Sequence, residues 1–552
     1  MKQPIALSRL IALAFAGTAS IASAQTGTPL QGTTPVAPVP TDSRALPQFK
    51  PGAAAARVAP GGAQVEVKSV VFSGNQSIAS EALMAELGDV TGKRFDMEGL
   101  TGLADRLGTF YRRSGYPFAQ VILPPQDLTA GTLRVQVIEG RYGKIRAAGK
   151  DELPAGAQPF LDFGLSSGAA IYNKQLERTM LILDDQPGND VYPVLQPGTN
   201  LGDSDLTVNV VQGKRLDGEV GFDNTGNTNT GEYRLRGALN INSPFIFGDK
   251  IALNALRTNE GMWLGSIDYE RPLGPSGLRG SVGYARTSYE LGGQFAALGA
   301  SGISETATLR LSYPLVRSQA TNVIASIALV HKDLEDRPGS GVPTNNKSSN
   351  GVPLTLQFDN RDTLLGGGVT FGALSVLNGN LQLNAAAAAL DSGSANTAGR
   401  FGKITLDAAR IQSLPMGLSA YARFSGQWAT NRNLDSSEKF NLGGFHGVRA
   451  YPLGEGTGDE GWLAQLEVRY AAAGFTPFVF HDLGKSDVNI KPWDAASAAT
   501  RSLAGSGVGV RAAIAGFNVE STLSWRSRGG VATADDTADR NPRFYFMVGR
   551  KF

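Results

Sequence analysis

The 552-residue chain contains no cysteine, which excludes a disulfide framework, thiolate catalysis and any Cys-ligated metal. Histidine is nearly as scarce: the chain has three, His331, His446 and His481, and shows no spaced His/Asp/Glu set for a metal. Neither sign of charge dominates. Fifty-one Lys and Arg face 49 Asp and Glu, so neither nucleic acid nor an acidic polymer is an expected partner. No phosphate-binding loop of the G-x-x-x-x-G-K-S/T form is present, and no cofactor is expected. Beyond residue 24 no run of about 18 apolar residues occurs, so no membrane helix is expected there. If the chain sits in a membrane, it must do so as a barrel.

What is present begins with an export signal over residues 1–24. Lys2 and Arg9 form its basic end, Leu10 to Ala16 its apolar run, and Ala22-Ser23-Ala24 a small-residue cleavage site. Residues 25–63 read as a Pro/Ala/Gly-rich linker, punctuated by Pro29, Pro35, Pro38, Pro40, Pro47, Pro51 and Pro60. From Val65 the pattern changes. Val65, Val67 and Val71 suggest a strand, and Leu100, Leu103, Leu107 and Phe110 or Tyr111 share one helix face. Strands are expected at Phe118 to Leu123 and where Leu133, Val135 and Val137 alternate with polar residues. A weaker copy follows: a strand at Tyr142 to Ala147, a helix face of Leu176, Met180 and Leu183, and strands at Val191 to Leu195 and around Val208. Two small α+β units over residues 64–141 and 142–214 result.

Residues 215–552 have a different character. Tyr233, Leu235, Leu239 and Ile241 oppose Arg234, Arg236, Asn240 and Asn242. Trp462, Leu466, Val468 and Tyr470 oppose Gln465, Glu467 and Arg469. Strands of about ten residues with one apolar and one charged face are what a transmembrane barrel requires. The alternative is a soluble β-sandwich; segment length and aromatic ends favour lipid contact. Sixteen or seventeen candidate strands can be counted, and an even number brings both barrel ends to the periplasmic side. Connections at Ala472 to Gly474 and around Gly516 are short, while 431–461, 485–504 and 527–542 are long and therefore face outward.

The architecture of signal, linker, two small units and barrel resembles the two-partner secretion transporters of the bacterial outer membrane. The small units resemble polypeptide-transport-associated (POTRA) domains, carried most clearly by "VVFSGN" and "GYPFAQVILPPQDLTAGTLRVQVIEG". In the barrel, Val448-Arg449-Ala450-Tyr451 is similar to the family's V-R-G-Y loop motif, with Ala450 in place of Gly. Phe480, Asp482 and Gly484 match its F-x-D-x-G wall motif. The resemblance implies that loop 431–461 folds back into the pore and that Arg449 pairs with Asp482, contributing modestly in a partly wet lumen. If position 450 needs a positive φ, alanine there is strained. A lumenal Asp482 also brings Phe480 inward, under the loop.

The resemblance further implies a protein-conducting channel without enzymatic activity. Its partner would be a large secreted β-helical protein of the adhesin or haemolysin class, exported in extended form. The POTRA units would capture that partner by strand addition, with the edge at Phe118, Ala119, Gln120, Val121, Ile122 and Leu123 as the candidate. The last strand ends on Phe552, resembling the signal by which barrels are recognised for insertion into outer-membrane lipid. Barrel assembly machinery is therefore an expected partner during biogenesis. Many relatives carry an N-terminal plug helix, but here the proline-free stretch Gly52 to Ala59 could form little more than two turns. An insertase of the same superfamily and a passive porin or receptor remain as alternatives. A hydrolase built on His446, His481 and Asp482 has no supporting motif.

Overall fold

The computed structural model describes residues 61–339, 344–534 and 539–552. The expected export signal, nearly all of the expected linker and the Gly52–Ala59 stretch lie outside them.

The first α+β unit runs β1 (Val65–Val67), β2 (Ser69–Ser73), α1 (Ser80–Leu87), β3 (Lys93–Phe95), α2 (Met97–Arg113), β4 (Gln120–Ile122) and β5 (Thr132–Ile138). Helix α2 starts where the Asp96 carboxylate accepts the Gly99 N–H at 2.8 Å and ends with Arg112 and Arg113 in its last turn. Both ends complement the helix dipole. Its apolar face, Leu100, Leu103, Leu107 and Tyr111, is buried against Leu133, Val135 and Val137 of the sheet. The sheet order is β2-β5-β4, so β4 is an edge.

The edge strand is shorter than its pattern predicts. Phe118 and Ala119 belong to a turn, with the Ala119 N–H bonded to the Tyr116 carbonyl, and Pro124 follows closely. Only Gln120, Val121 and Ile122 pair with β5. Phe118 packs against the core of the second unit instead.

The second unit repeats the topology with β6 (Arg141–Gly149), α3 (Leu153–Gly164), α4 (Asn173–Asp184), β7 (Asn189–Pro197) and β8 (Asp203–Gln212), in sheet order β6-β8-β7. Helix α3 is not apparent in the sequence pattern, because Pro154 and Pro159 interrupt it. Pro154 sits in the first turn, where its missing N–H has no helical partner to lose.

Sixteen antiparallel strands, β9 to β24, close into a barrel between Leu216 and Lys551. The strand β9 (Leu216–Asp223) closes it by pairing with both β10 (Arg234–Asn242) and β24 (Arg543–Lys551), as in Phe222 opposite Val548. Alternation places Leu235, Val282, Leu309, Leu329 and Val479 outward, each at least half exposed. A belt of large apolar side chains around a closed wall decides against the soluble sandwich and for lipid contact.

At one end the connections are short, among them 243–249, 318–320, 414–417, 471–474 and 515–516. At the other lie 384–398, 430–459, 488–499 and 529–542. Both ends of the barrel chain emerge at the short-turn side, which is periplasmic, and so the two α+β units sit in the periplasm. The second unit docks onto these turns. Asp185 holds Arg317 through two bonds of 2.7 and 2.8 Å, Arg178 donates to the Pro314 carbonyl at 2.8 Å, and Phe160 packs on Phe247.

Candidate functional site: a loop folded against the lumenal wall

Strands β19 (Leu418–Ala429) and β20 (Glu460–Tyr470) are joined at the outer end by residues 430–459. This connection does not extend outward. Its residues Leu442, Val448, Ala450 and Tyr451 are fully buried, packed on Leu463 of β20 and on Leu503 of β22 (Thr500–Ile514). The wall residues it touches alternate with lipid-facing neighbours, so the loop occupies the lumen. A parallel bridge between Gly443 and Val448, with the Val448 N–H on the Leu442 carbonyl at 2.8 Å, turns the tip back on itself.

At that tip Arg449 meets Asp482 of β21 (Phe475–Asp487). Its Nε and Nη2 donate to the two carboxylate oxygens at 2.8 and 2.7 Å, and its backbone N–H adds a third bond at 3.1 Å. Arg449 and Asp482 are 3% and 0% exposed, so the pair is drier than the partly wet lumen anticipated from the sequence. In such surroundings removing one partner leaves the other as an uncompensated charge, which costs about 3–5 kcal/mol.

The pair is also not isolated. Arg449 Nη1 donates to Glu467 at 2.7 Å, and Glu467 in turn accepts from Arg469 at 2.8 Å and Arg511 at 3.0 Å. Arg511 reaches Glu520 at 2.8 Å. Three arginines thus balance three carboxylates in one network. The guanidinium also lies over the Phe480 ring, 3.6 Å from its centroid. Phe480 is therefore lumenal and under the loop.

The neighbouring motif residues lock the same geometry. The Arg449 carbonyl accepts from Ser524 Oγ at 2.7 Å. Tyr451 donates its hydroxyl proton to the Arg528 carbonyl at 2.7 Å and accepts at its own carbonyl from Tyr545 at 2.9 Å. Ala450 is not among the positive-φ residues, so alanine is unstrained there. Its methyl is accommodated because Gly505 lies opposite; a Cβ on Gly505 would stand 2.4 Å from it. Gly484 likewise leaves room for Leu442 of the loop, whose Cδ1 would lie 2.5 Å from an added Cβ.

Glu467, Arg511, Ser524 and Tyr545 escaped sequence reasoning, since they look like ordinary inward-facing wall residues. One detectable sign was passed over: Gly505, Gly507 and Gly509 recur at every second position of β22. They stand directly across from Asp482, Phe480 and Phe478 and clear a lumenal trough for the two rings.

The two histidines do not converge. His446 is half-buried in the loop, its ring 5.0 Å from that of Phe445. His481 faces outward, bonded to Ser506 at 2.8 Å. Among the described residues no group of three His, Asp or Glu is placed to hold a metal. Phe552 is half-exposed at the end of the wall, next to Gly218 of β9.

The sequence of residues 202–512 matches the model of the haemolysin secretion/activation proteins ShlB/FhaC/HecB, and residues 65–140 match the ShlB-type POTRA domain. The heme/hemopexin transporter protein HuxB of Haemophilus influenzae is 28% identical over 419 residues, 74% of each chain. Among solved structures, CdiB from Escherichia coli superposes with a TM-score of 0.70 at 21% identity, covering 92% of this chain and 93% of that one. BamA from Haemophilus ducreyi, lacking POTRA domains 1–3, gives 0.52 at 13% identity over 88% of this chain and 99% of that one. These structural likenesses show the fold. Taken with the family match, they place the chain in the ShlB/FhaC/HecB family of haemolysin secretion/activation proteins, as an outer-membrane transporter of the two-partner secretion type.

Proposed function

We propose that this chain conducts one large secreted protein partner from the periplasm to the cell surface in extended form, and that its β20–β21 wall and inward loop hold the channel in the competent shape. The observation that carries this reading is the buried Arg449–Asp482 pair, which fixes the inward loop against the lumenal wall. The cargo is read as a β-helical protein of the adhesin or haemolysin class, a reading supported by the match to haemolysin secretion/activation proteins. Capture falls to the POTRA units. Strand β4 offers a free sheet edge of only three residues, so Gln120, Val121 and Ile122 would register the partner while Phe118 braces the second unit behind it. Phe552 is proposed as the insertion signal read by barrel assembly machinery. No catalytic step is assigned to any residue, and folding of the cargo outside supplies the pull.

Deleting residues 64–213 tests the division of labour. An exporter loses secretion while the inserted barrel still conducts ions. The insertase reading, favoured only by the shared fold with BamA, requires instead that assembly of other barrels collapse. A passive porin would leave both untouched.

A further inference from the structure

The tip of the loop is cationic and meets anionic wall residues. At its foot the polarity is reversed. The single helical turn Ser436–Glu438, between β19 and the tip, places Glu438 and the preceding Asp435 against wall strands away from the tip's anchor. Glu438 receives Lys332 of β15 (Thr321–Arg337) at 2.6 Å and Lys403 of β18 (Gly399–Ser413) at 3.0 Å. Its backbone carbonyl accepts from Lys403 at 2.8 Å and from Gln427 at 2.9 Å. Asp435 receives Lys347 of β16 (Asn345–Asp362) at 3.0 Å, which also contacts Asp336 at 3.3 Å. Glu438, Asp435 and Lys332 are each less than a tenth exposed.

The two strands of the foot are also tied to each other. Phe440 and Gly458 exchange backbone bonds of 2.7 and 2.9 Å, and Lys439 pairs with Asp459. Between foot and tip lie Gly444 on the outgoing arm and Gly454 and Gly456 on the return arm, all with positive φ. Backbone of this kind is where a chain can change direction at least cost.

We propose that Glu438, with Asp435 beside it, is a positioning residue that anchors the foot of the loop independently of the tip. Lys332, Lys403 and Lys347 are its wall partners. The foot fixes the height and angle from which Arg449 approaches Asp482, and Gly444, Gly454 and Gly456 are the hinges about which the tip swings when its own pair opens. The proposal rests on the reading of the inward loop as the element that holds the channel in its competent shape. Its test reads loop position and not export, so either idea can fail alone.

The absence of cysteine makes the test free of background thiols. Val448→Cys places a single thiol at the buried tip of the full-length, membrane-inserted protein, and its labelling by a water-soluble maleimide added outside reports tip release. In that background Glu438→Gln keeps size and shape but leaves Lys332 and Lys403 without their carboxylate, whereas Glu438→Asp keeps the charge on a shorter stem. Lysine stems are flexible enough to follow it. Glu438→Gln is expected to speed labelling at least about tenfold, with Glu438→Asp close to the parent. Mere packing predicts the opposite order, because Gln is the closer match in size. Equal rates for Gln and Asp, or no acceleration in either, overturn the proposal. Should Glu438→Gln fail to insert, Asp435→Asn in the same background leaves Glu438 in place and is expected to give about a threefold acceleration. A parental rate there overturns the proposal equally.

Discussion

The Arg449 guanidinium lies over the Phe480 ring, 3.6 Å from its centroid, while its fork holds Asp482 two residues further along the same strand. One strand therefore supplies both a π-face and a carboxylate to the same cation, and alternation makes the two share the lumenal face. The ring in turn needs its own space, and β22 provides it by omission.

That omission is testable at Gly507. An added Cβ would stand 2.4 Å from the tip of the Phe480 ring and 2.3 Å from the Leu523 carbonyl oxygen, and the backbone oxygen cannot move aside cheaply. Gly507→Ala is expected to cost about 1–3 kcal/mol. The temperature at which the folded barrel loses its heat-resistant mobility on gels should fall, with export falling alongside. An unchanged temperature would show that the trough is not tightly filled.

Ala450 and Gly505 should behave as a coupled pair. Gly505→Ala alone drives a methyl into Ala450, while Ala450→Gly alone removes a buried methyl at a cost of about 1 kcal/mol. Combining the two transfers the methyl from loop to wall, and the double variant is expected to be more stable than Gly505→Ala. The check is a double-mutant cycle on barrel thermal stability, in which simple additivity would count against direct contact.

Much of this arrangement was legible before any coordinates. The two-faced strands predict the barrel, because a wall between lipid and lumen imposes period two on residues such as Tyr233 to Asn242. Arg449 and Asp482 are named by the family resemblance, and the parity of β21 then turns Phe480 inward. What cannot be read there is how dry their meeting place is, since burial depends on the loop packing against the wall, a tertiary fact with no local pattern. Glu467 and Arg511 were hidden for a related reason. Any inward-facing charge on a barrel strand looks the same until a neighbour is brought to it. Helix α3 was lost to its own prolines, and β4 was overestimated because Phe118 and Ala119 continue the apolar alternation while the backbone is still turning.

Arg449→Lys separates charge from geometry. A lysine keeps the positive charge, but it cannot hold both oxygens of Asp482, reach Glu467 and stack on Phe480 at once. Its export is expected to be nearer to that of Arg449→Ala than to the parent, with barrel insertion normal in all three. Wild-type export by Arg449→Lys would reduce the site to simple charge neutralisation.

A pH effect is expected where the second α+β unit meets the barrel. Burial, reinforced by the carboxylates of Asp185 and Asp190, raises Asp184 at the end of α4 to about 6. The folded unit therefore retains a proton that the unfolded chain releases near the ordinary aspartate value of 3.8. Stability is fullest below that value, falls as pH rises towards about 6, and is flat above. Asp184→Asn should abolish this slope and increase the hydrogen-exchange protection of α4 amides at neutral pH, after correction for intrinsic rates. Equal protection in the two proteins at neutral pH would contradict the assignment.

Arg449→Ala tests most directly whether the inward loop holds the channel in its working shape. The measurement is the amount of partner protein reaching the cell surface per inserted barrel, with insertion quantified separately in the same cells. Loss of the buried pair at a cost of about 3–5 kcal/mol should release the tip and reduce export at least about tenfold while insertion is unchanged. Parental export from normally inserted Arg449→Ala barrels would contradict the claim that this loop holds the channel in its working shape.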